Sequence, residues 1–448
     1  MNISYNKSIY LKIRKAFLFF TFLLIFEGVF RKWLLPQFSN IFLLIRDPFA
    51  IYVLYFGIKY NLIGNNLPKY MMFLGVFCFF SAMIFGHHNL LVALYGLRIT
   101  FVYFPFMYIC GNILTKEDML YIAKRLVLLI LIMVPITILQ FNSPQSALIN
   151  RGVGGDESGS GFSGGALGKY RPAGLFSFIA GLTAYYGLTF GFILYFLLFR
   201  NVASKLNLSA KKMNLIFLFY IIGIPISISR TNVFQTLYIL CFVMFLYPYK
   251  RNTIGKCFRI ILIFTPIIML LLEIYGDTDF IQAFLLRFNG ANESEGGVAN
   301  TMFDRSFGYM FTAFSNNLIG LFGYGDGAFT NFGVQMIFSN MGRDAYLHLS
   351  TMLGSEMEWG RIIAEEGPIL GAVMIFLRLF MSIDLFRRAF NALKRRNYLP
   401  ILIMPFASYF MLLSQLKSSY NLGFTSVAVT FVLIACRDNV QFLKVKIK

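Results

Sequence analysis

Three short stretches carry residue types that could do chemistry. The first is Ser227-Ile228-Ser229-Arg230-Thr231, a break of a few residues between the apolar runs 213–228 and 233–249. A cation at the end of a transmembrane hairpin has to be solvated, paired or used. Arginine offers a planar fork of donors suited to phosphate and carboxylate, where lysine offers a point charge. Two hydroxyls and a guanidinium in one tight turn can bind an oxyanion; the plainer reading is a helix end capped by its own serine, with Arg230 reaching to the interface. The second stretch is Arg171-Pro172-Ala173-Gly174-Leu175-Phe176. Its proline and glycine fix a turn at a helix start, where free N–H groups favour anions, or they simply punctuate loop and helix. The third runs from Glu356 to Gly371 and sets Glu356, Glu358, Glu365 and Glu366 around Arg361. Glu358, Arg361 and Glu365 share a helical face by i, i+3 and i+4 spacing, so one or both acids are expected to pair with the arginine. A leftover carboxylate would be a plausible general base.

Weaker signals surround these. Gly323-Tyr324-Gly325-Asp326-Gly327 could form a phosphate-binding nest, although most such runs are turns. The stretch 152–168 is glycine-rich but resembles no Walker loop, since Gly168-Lys169 is followed by Tyr170; a mobile lid or substrate-gating segment fits it better. Glu27 and Arg31 are expected to pair at i, i+4, Arg46-Asp47 reads as an internal ion pair, and His87-His88 as interfacial.

The elements that must position these residues are membrane helices. The chain has 448 residues, 58% hydrophobic and only 13% charged, and many windows exceed the roughly 18 apolar residues of a spanning helix. The reading is an all-α polytopic membrane protein of about twelve spans, near 16–30, 41–59, 71–86, 98–114, 122–141, 174–199, 213–229, 232–249, 258–275, 362–383, 398–416 and 422–436. The first run has no small-residue cleavage site after it and reads as a retained signal anchor. A net charge of +20 would suggest nucleic acid in a soluble protein. Here the positive-inside rule accounts for it: 26 basic residues crowd the short loops on one side, which is therefore cytoplasmic with both termini. The five cysteines show no CxxC spacing and three histidines are too few for a metal cluster, so no metal and no disulfide framework are expected.

Two larger segments then face outward: 142–173, and 276–361, the one stretch long enough for a small extramembrane domain. The chain divides into spans one to nine (1–275), that loop domain (276–361), and spans ten to twelve with a tail (362–448). Helix-length amphipathic patterns lie near 303–318 and 344–362. The outward side holds nine arginines (Arg31, Arg98, Arg151, Arg171, Arg230, Arg287, Arg305, Arg343, Arg361) against three lysines (Lys32, Lys169, Lys417). The cytoplasmic set holds ten against sixteen, a contrast that points to a use for guanidinium on the outer face.

Taken in order, Arg98 opening the fourth span, Arg171–Phe176, Ser229-Arg230, Gly323–Phe329 and Glu365-Glu366-Gly367 with Gly371 resemble the O-antigen ligase and O-antigen polymerase superfamily of bacterial envelopes, from about residue 90 onward. The segment Phe26–Pro36 also looks like a signature of exopolysaccharide-cluster proteins, without an evident chemical role. The resemblance implies a GT-C-like membrane glycosyltransferase in the bacterial cytoplasmic membrane, acting on its periplasmic face without a metal or other cofactor. It implies polymerisation of undecaprenyl-diphosphate-linked oligosaccharide, with ligation of glycan to a lipid or protein acceptor as the alternative. The ligase branch has a histidine where this chain has Glu356, which favours the polymerase side. On this reading Arg230, Arg171, Arg98 and Arg361 bind the diphosphate, and Glu356, then Glu366, is the base. Partners would be the lipid-linked glycan, the bilayer, and flippase and chain-length regulator proteins. A lipid-linked glycan transporter is the competitor from another class.

Overall fold

The computed structural model describes residues 3–157, 166–252, 255, 278–294, 303, 307–353 and 357–437. Among these residues the regular structure is helical, and eight helices are long and apolar enough to cross a membrane: Pro36–Lys59, Asn66–Ile84, Leu90–Ile113, Lys116–Asn142, Ile179–Leu198, Arg230–Asn252, Glu358–Lys394 and Ser419–Cys436. The chain is thus an all-helical polytopic membrane protein. Three further helices, Ile3–Val29, Ala210–Ile226 and Leu399–Leu413, fall on expected spans one, seven and eleven. The expected span 258–275 lies outside the described residues.

Local chemistry sets several helix starts. Thr115 and Asp118 form a reciprocal capping box at the head of Lys116–Asn142. Asn65, Asn89 and Ser209 each accept a backbone N–H of the helix they precede. Caps of this kind contribute about 1 kcal/mol each. Burial then sorts the helices: 89% of the apolar window of Ser419–Cys436 and 83% of that of Ile179–Leu198 is covered by protein, against 33% for Arg230–Asn252. The first two are the central helices, and the third presents most of its surface outward.

The bundle has two chemically different ends. At the end that holds both described termini, Arg14 pairs with Asp118 at 2.5 Å and Arg437 donates to the carbonyls of Asn112 and Leu114. At the distal end, Phe141, Ile226, Ile228 and Ala283 form a small apolar cluster of their own. There the segment after residue 277 folds as helices Asp279–Ser294, Tyr309–Ser315, Asn331–Ile337 and Arg343–Met352. The amphipathic pattern near 344–362 is two elements, since Arg343–Met352 ends before a new helix opens at Glu358.

One expected ion pair is kept and extended, and another changes partners. Glu27 does hold Arg31, at 3.1 Å, but also Arg46, at 3.1 Å. Asp47 turns instead to Arg98, at 2.6 Å, and to the Tyr103 hydroxyl. Adjacent residues at a helix start point in different directions, which is why Arg46 and Asp47 do not meet. Of the two acids expected beside Arg361, Glu358 pairs elsewhere, while the Arg361 charge acts on Glu365. Gly367, at φ +76°, breaks the Glu358–Lys394 helix just before Pro368. The piece before the break folds back along the piece after it: Glu358 pairs with Arg378, and a Cβ on Gly371 would stand 3.1 Å from the Ile363 Cα.

Candidate anion site and acidic cluster at the distal end

Arg171 sits at the mouth of a turn that the chain holds from several sides. Gly174 adopts φ +60°, a left-handed conformation natural to glycine. Its N–H donates to Gln140 Oε1 at 2.7 Å, and its carbonyl accepts Gln140 Nε2 at 3.1 Å and Lys32 Nζ at 2.9 Å. Pro172 and Ala173 are buried. The Lys169 ammonium, 3.6 Å from the Asp279 carboxylate, ties the same loop to the Asp279–Ser294 helix.

Arg230, the first residue of its helix, and Arg287, exposed on the Asp279–Ser294 helix, converge on Arg171. Burial, and then the positive charges of Arg287 and Arg230, lower the Arg171 guanidinium to about 10. Cations from two separated segments are therefore near enough for their charge to act on Arg171. Like charges placed together cost energy, and an anion between them removes that cost. The hydroxyls expected to help do not face this site. Ser227 Oγ donates to the Ile224 carbonyl at 2.6 Å and accepts Asn232 Nδ2 at 2.8 Å, while Ser229 Oγ lies 3.4 Å from Thr183 Oγ1; both serines are fully buried. Ser229 makes no side-chain cap, and the turn tightens instead through Ile228 at φ +47°.

The second cluster gathers Asp326, Glu365 and Glu366, with carboxylate oxygens within 4.8 Å of one another and side chains 2% exposed or less. Three such groups could hold a divalent cation; the cation they surround here is Lys417. Its Nζ stands 2.6 Å from Asp326 Oδ1 and 2.6 Å from Glu365 Oε2. Burial alone would lower the Lys417 ammonium, but Asp326, Glu365 and Glu366 more than reverse this and raise it. Glu365 Oε1 also accepts the Phe329 N–H at 2.8 Å, and Glu366 lies fully buried beside the Cys78 thiol. The Gly323–Gly327 run is the lid of this cluster rather than a phosphate nest. Two of its N–H groups, of Tyr324 and Gly325, are spent on the carbonyls of Ala364 and Glu365, at 2.9 and 2.8 Å.

The expected site residues thus separate. Arg171 and Arg230 come together, and Arg287 joins them. Arg98 is not among them: it pairs with Asp47 at 2.6 Å, its side chain only 10% exposed. Arg361 lies near Glu365 and Tyr346, on the side of the acidic cluster. Glu366 belongs to that cluster, and Glu356 lies outside the described residues. No protein-family model, curated protein or solved structure matches the chain. The site therefore rests on its own geometry.

Sequence reasoning passed over Arg287, Asp326 and Lys417 as members of a site. Arg287 and Lys417 were visible as outward cations, and Asp326 as the one acid of a glycine-rich turn, but their convergence depends on packing.

His87 supplies a pH test of this end. Its Nδ1 accepts the Asn89 N–H at 3.0 Å, so Nε2 carries the proton and donates to the Asp326 carbonyl at 3.1 Å. Burial lowers the His87 imidazole below its usual range, the Asp326 carbonyl and charge opposing this less strongly. A depressed folded value means that the unfolded chain binds the proton more readily. The contribution of His87 is therefore complete above about pH 6.5 and is lost as pH falls through its lower folded value. Thermal unfolding in detergent should show a stability drop below about pH 6.5 that is smaller in His87→Gln. An identical drop in both proteins would refute the assignment.

Proposed function

We propose that this chain is a twelve-span, GT-C-like glycosyltransferase of the bacterial cytoplasmic membrane. It polymerises undecaprenyl-diphosphate-linked oligosaccharide repeat units into O-antigen or exopolysaccharide on the periplasmic face. The observation that carries the proposal is the meeting of Arg171, Arg230 and Arg287 at the distal end. Three guanidiniums suit a ligand with several negative charges, and a diphosphate meets that need better than a monophosphate.

In the reaction a hydroxyl of the acceptor glycan attacks C1 of the donor sugar and inverts it. The bond from C1 to the diphosphate oxygen breaks, and undecaprenyl diphosphate leaves with the electron pair. The hydroxyl proton passes to a carboxylate, with Glu356 the first candidate and Glu366 the second. Charge grows on the leaving diphosphate along this path, and fixed arginines at a low-dielectric boundary stabilise it where it develops. Arg171, Arg230 and Arg287 would supply this stabilisation through their own positive charge. A transporter would instead string charged residues along a path through the spans. Several deep charges among the described residues are instead held in fixed pairs, such as Glu358 with Arg378 and Glu27 with Arg46.

The deciding experiment is reconstitution of the purified protein with an undecaprenyl-diphosphate oligosaccharide. A ladder of longer lipid-linked glycans supports polymerisation. No change until a second acceptor is added supports ligation, and movement between leaflets without lengthening supports transport.

A further inference from the structure

The segment Phe26–Pro36, the one sequence signature with no chemistry attached, lies against the turn that presents Arg171. Gly28 is the point of contact. A Cβ there would stand 2.3 Å from the Leu175 carbonyl oxygen and 2.5 Å from the Ser177 nitrogen, so only glycine lets the two backbones approach. One turn later the helix widens into a π turn over Phe30–Leu34, closed by the Leu35 N–H on the Phe30 carbonyl at 2.8 Å. Such widened turns recur at functional sites. This one carries Arg31 and Lys32, both buried. Arg31 is held by Glu27. Lys32 is 1% exposed, lies 4.3 Å from the centre of the Trp33 ring, and donates to the Gly174 carbonyl.

We propose that Lys32 is a positioning residue for the distal anion site. Its buried ammonium, seated by Gly28 and the π turn, holds the Gly174 carbonyl, and so fixes the turn that aims Arg171 toward Arg230 and Arg287. The inference rests on the anion-site reading above and gives Phe26–Pro36 its role as the seat of the Arg171 turn.

A lysine is an expensive choice at this position. A buried ammonium needs strong reason to stay, and the hydrogen bond to the Gly174 carbonyl could be supplied by a smaller neutral donor, as Gln140 already does there. What the ammonium adds is a stronger, charge-assisted hold on a residue in a left-handed conformation. The Ser177 N–H, donated to the Tyr420 hydroxyl at 2.9 Å, secures the far side of the turn. Arg171 is thus fixed relative to two helices that do not themselves carry the arginines, Ile3–Val29 and Ser419–Cys436.

The test uses the full chain in detergent, with its native cysteines replaced and spin labels at Leu167→Cys and Leu286→Cys. Both positions are exposed, on the Arg171 loop and on the Arg287 helix. Inorganic pyrophosphate is the ligand probe, and only protein that elutes as a single folded species is measured. In Lys32→Met, which keeps the apolar stem and loses the donor, the label distance distribution should broaden and pyrophosphate affinity should fall about tenfold. Lys32→Gln, which keeps an N–H donor, should recover part of both. Gly28→Ala, which pushes on the same turn from a different atom, should broaden the distances as Lys32→Met does. An unchanged distance distribution in Lys32→Met, with Arg230→Ala still losing affinity, overturns the role of Lys32 and leaves the anion site standing. Unchanged affinity in Arg230→Ala removes the site itself, and the positioning role with it.

Discussion

Arg230→Lys will fold and insert like the parent protein and will make little or no polymer. The substitution keeps a positive charge at the start of the Arg230 helix but replaces a planar fork by a point charge, so two parallel hydrogen bonds to a diphosphate become one at best. Loss of one donor that acts on developing charge costs about 3–4 kcal/mol, or roughly 100-fold to 1000-fold in rate. The measurement is the length distribution of lipid-linked glycan made by reconstituted protein, with helix content and elution profile as controls for folding. Near-normal chain length in Arg230→Lys would end its role as a diphosphate ligand. Arg287→Lys should weaken the same reaction by a smaller factor, because Arg287 is exposed and better screened by water and salt.

The second large effect concerns Lys417. Lys417→Met removes the cation that Asp326 and Glu365 contact at 2.6 Å each, and leaves three buried carboxyl groups facing one another. Breaking a buried pair by removing one partner costs about 3–5 kcal/mol, enough to unfold a protein of ordinary marginal stability. The expected result is a steep loss of folded protein in detergent and a lowered unfolding temperature. Adding Glu365→Gln to Lys417→Met should restore part of the loss, since it removes one of the stranded charges. A Lys417→Met protein as stable as the parent would show that the cluster is not held together by this ammonium.

The sequence made the helices legible, because apolar run length is a local property that survives without tertiary information. Eleven of the twelve expected spans fall on described helices, and eight of these helices are long and apolar enough to cross a membrane. Arg171 and Arg230 were also legible as a pair, since both stand in turns that end an apolar run on the same side. What failed was partner choice. Glu358, Arg361 and Glu365 lie on one helical segment, but Gly367 with Pro368 turns the chain back on itself straight after them. Glu358 then meets Arg378, twenty residues on, and Glu365 meets Lys417 from another helix pair. The serines beside Arg230 failed for a different reason: tight turns bury one set of side chains, and spacing alone does not say which. Lys32 lay within a recognised signature, but its partner, the Gly174 carbonyl, is a backbone atom 142 residues away. No periodicity in a side-chain pattern could reveal that.

The way the segment 417–420 is used has a consequence for biosynthesis. Arg46 donates to the Ser419 carbonyl, the Tyr420 hydroxyl accepts from Ser177, and Lys417 closes the acidic cluster on Asp326, so groups from residues 46, 177 and 326 are completed by a segment translated after all of them. A ribosome-bound chain that has already inserted its first helices still lacks these closures. Chains released early would carry the same arginines on an unclosed scaffold, and would be inert as well as easily recognised by quality-control proteases. Competence at the distal end is thereby tied to the synthesis of residues 417–420, hundreds of residues after the first groups they complete.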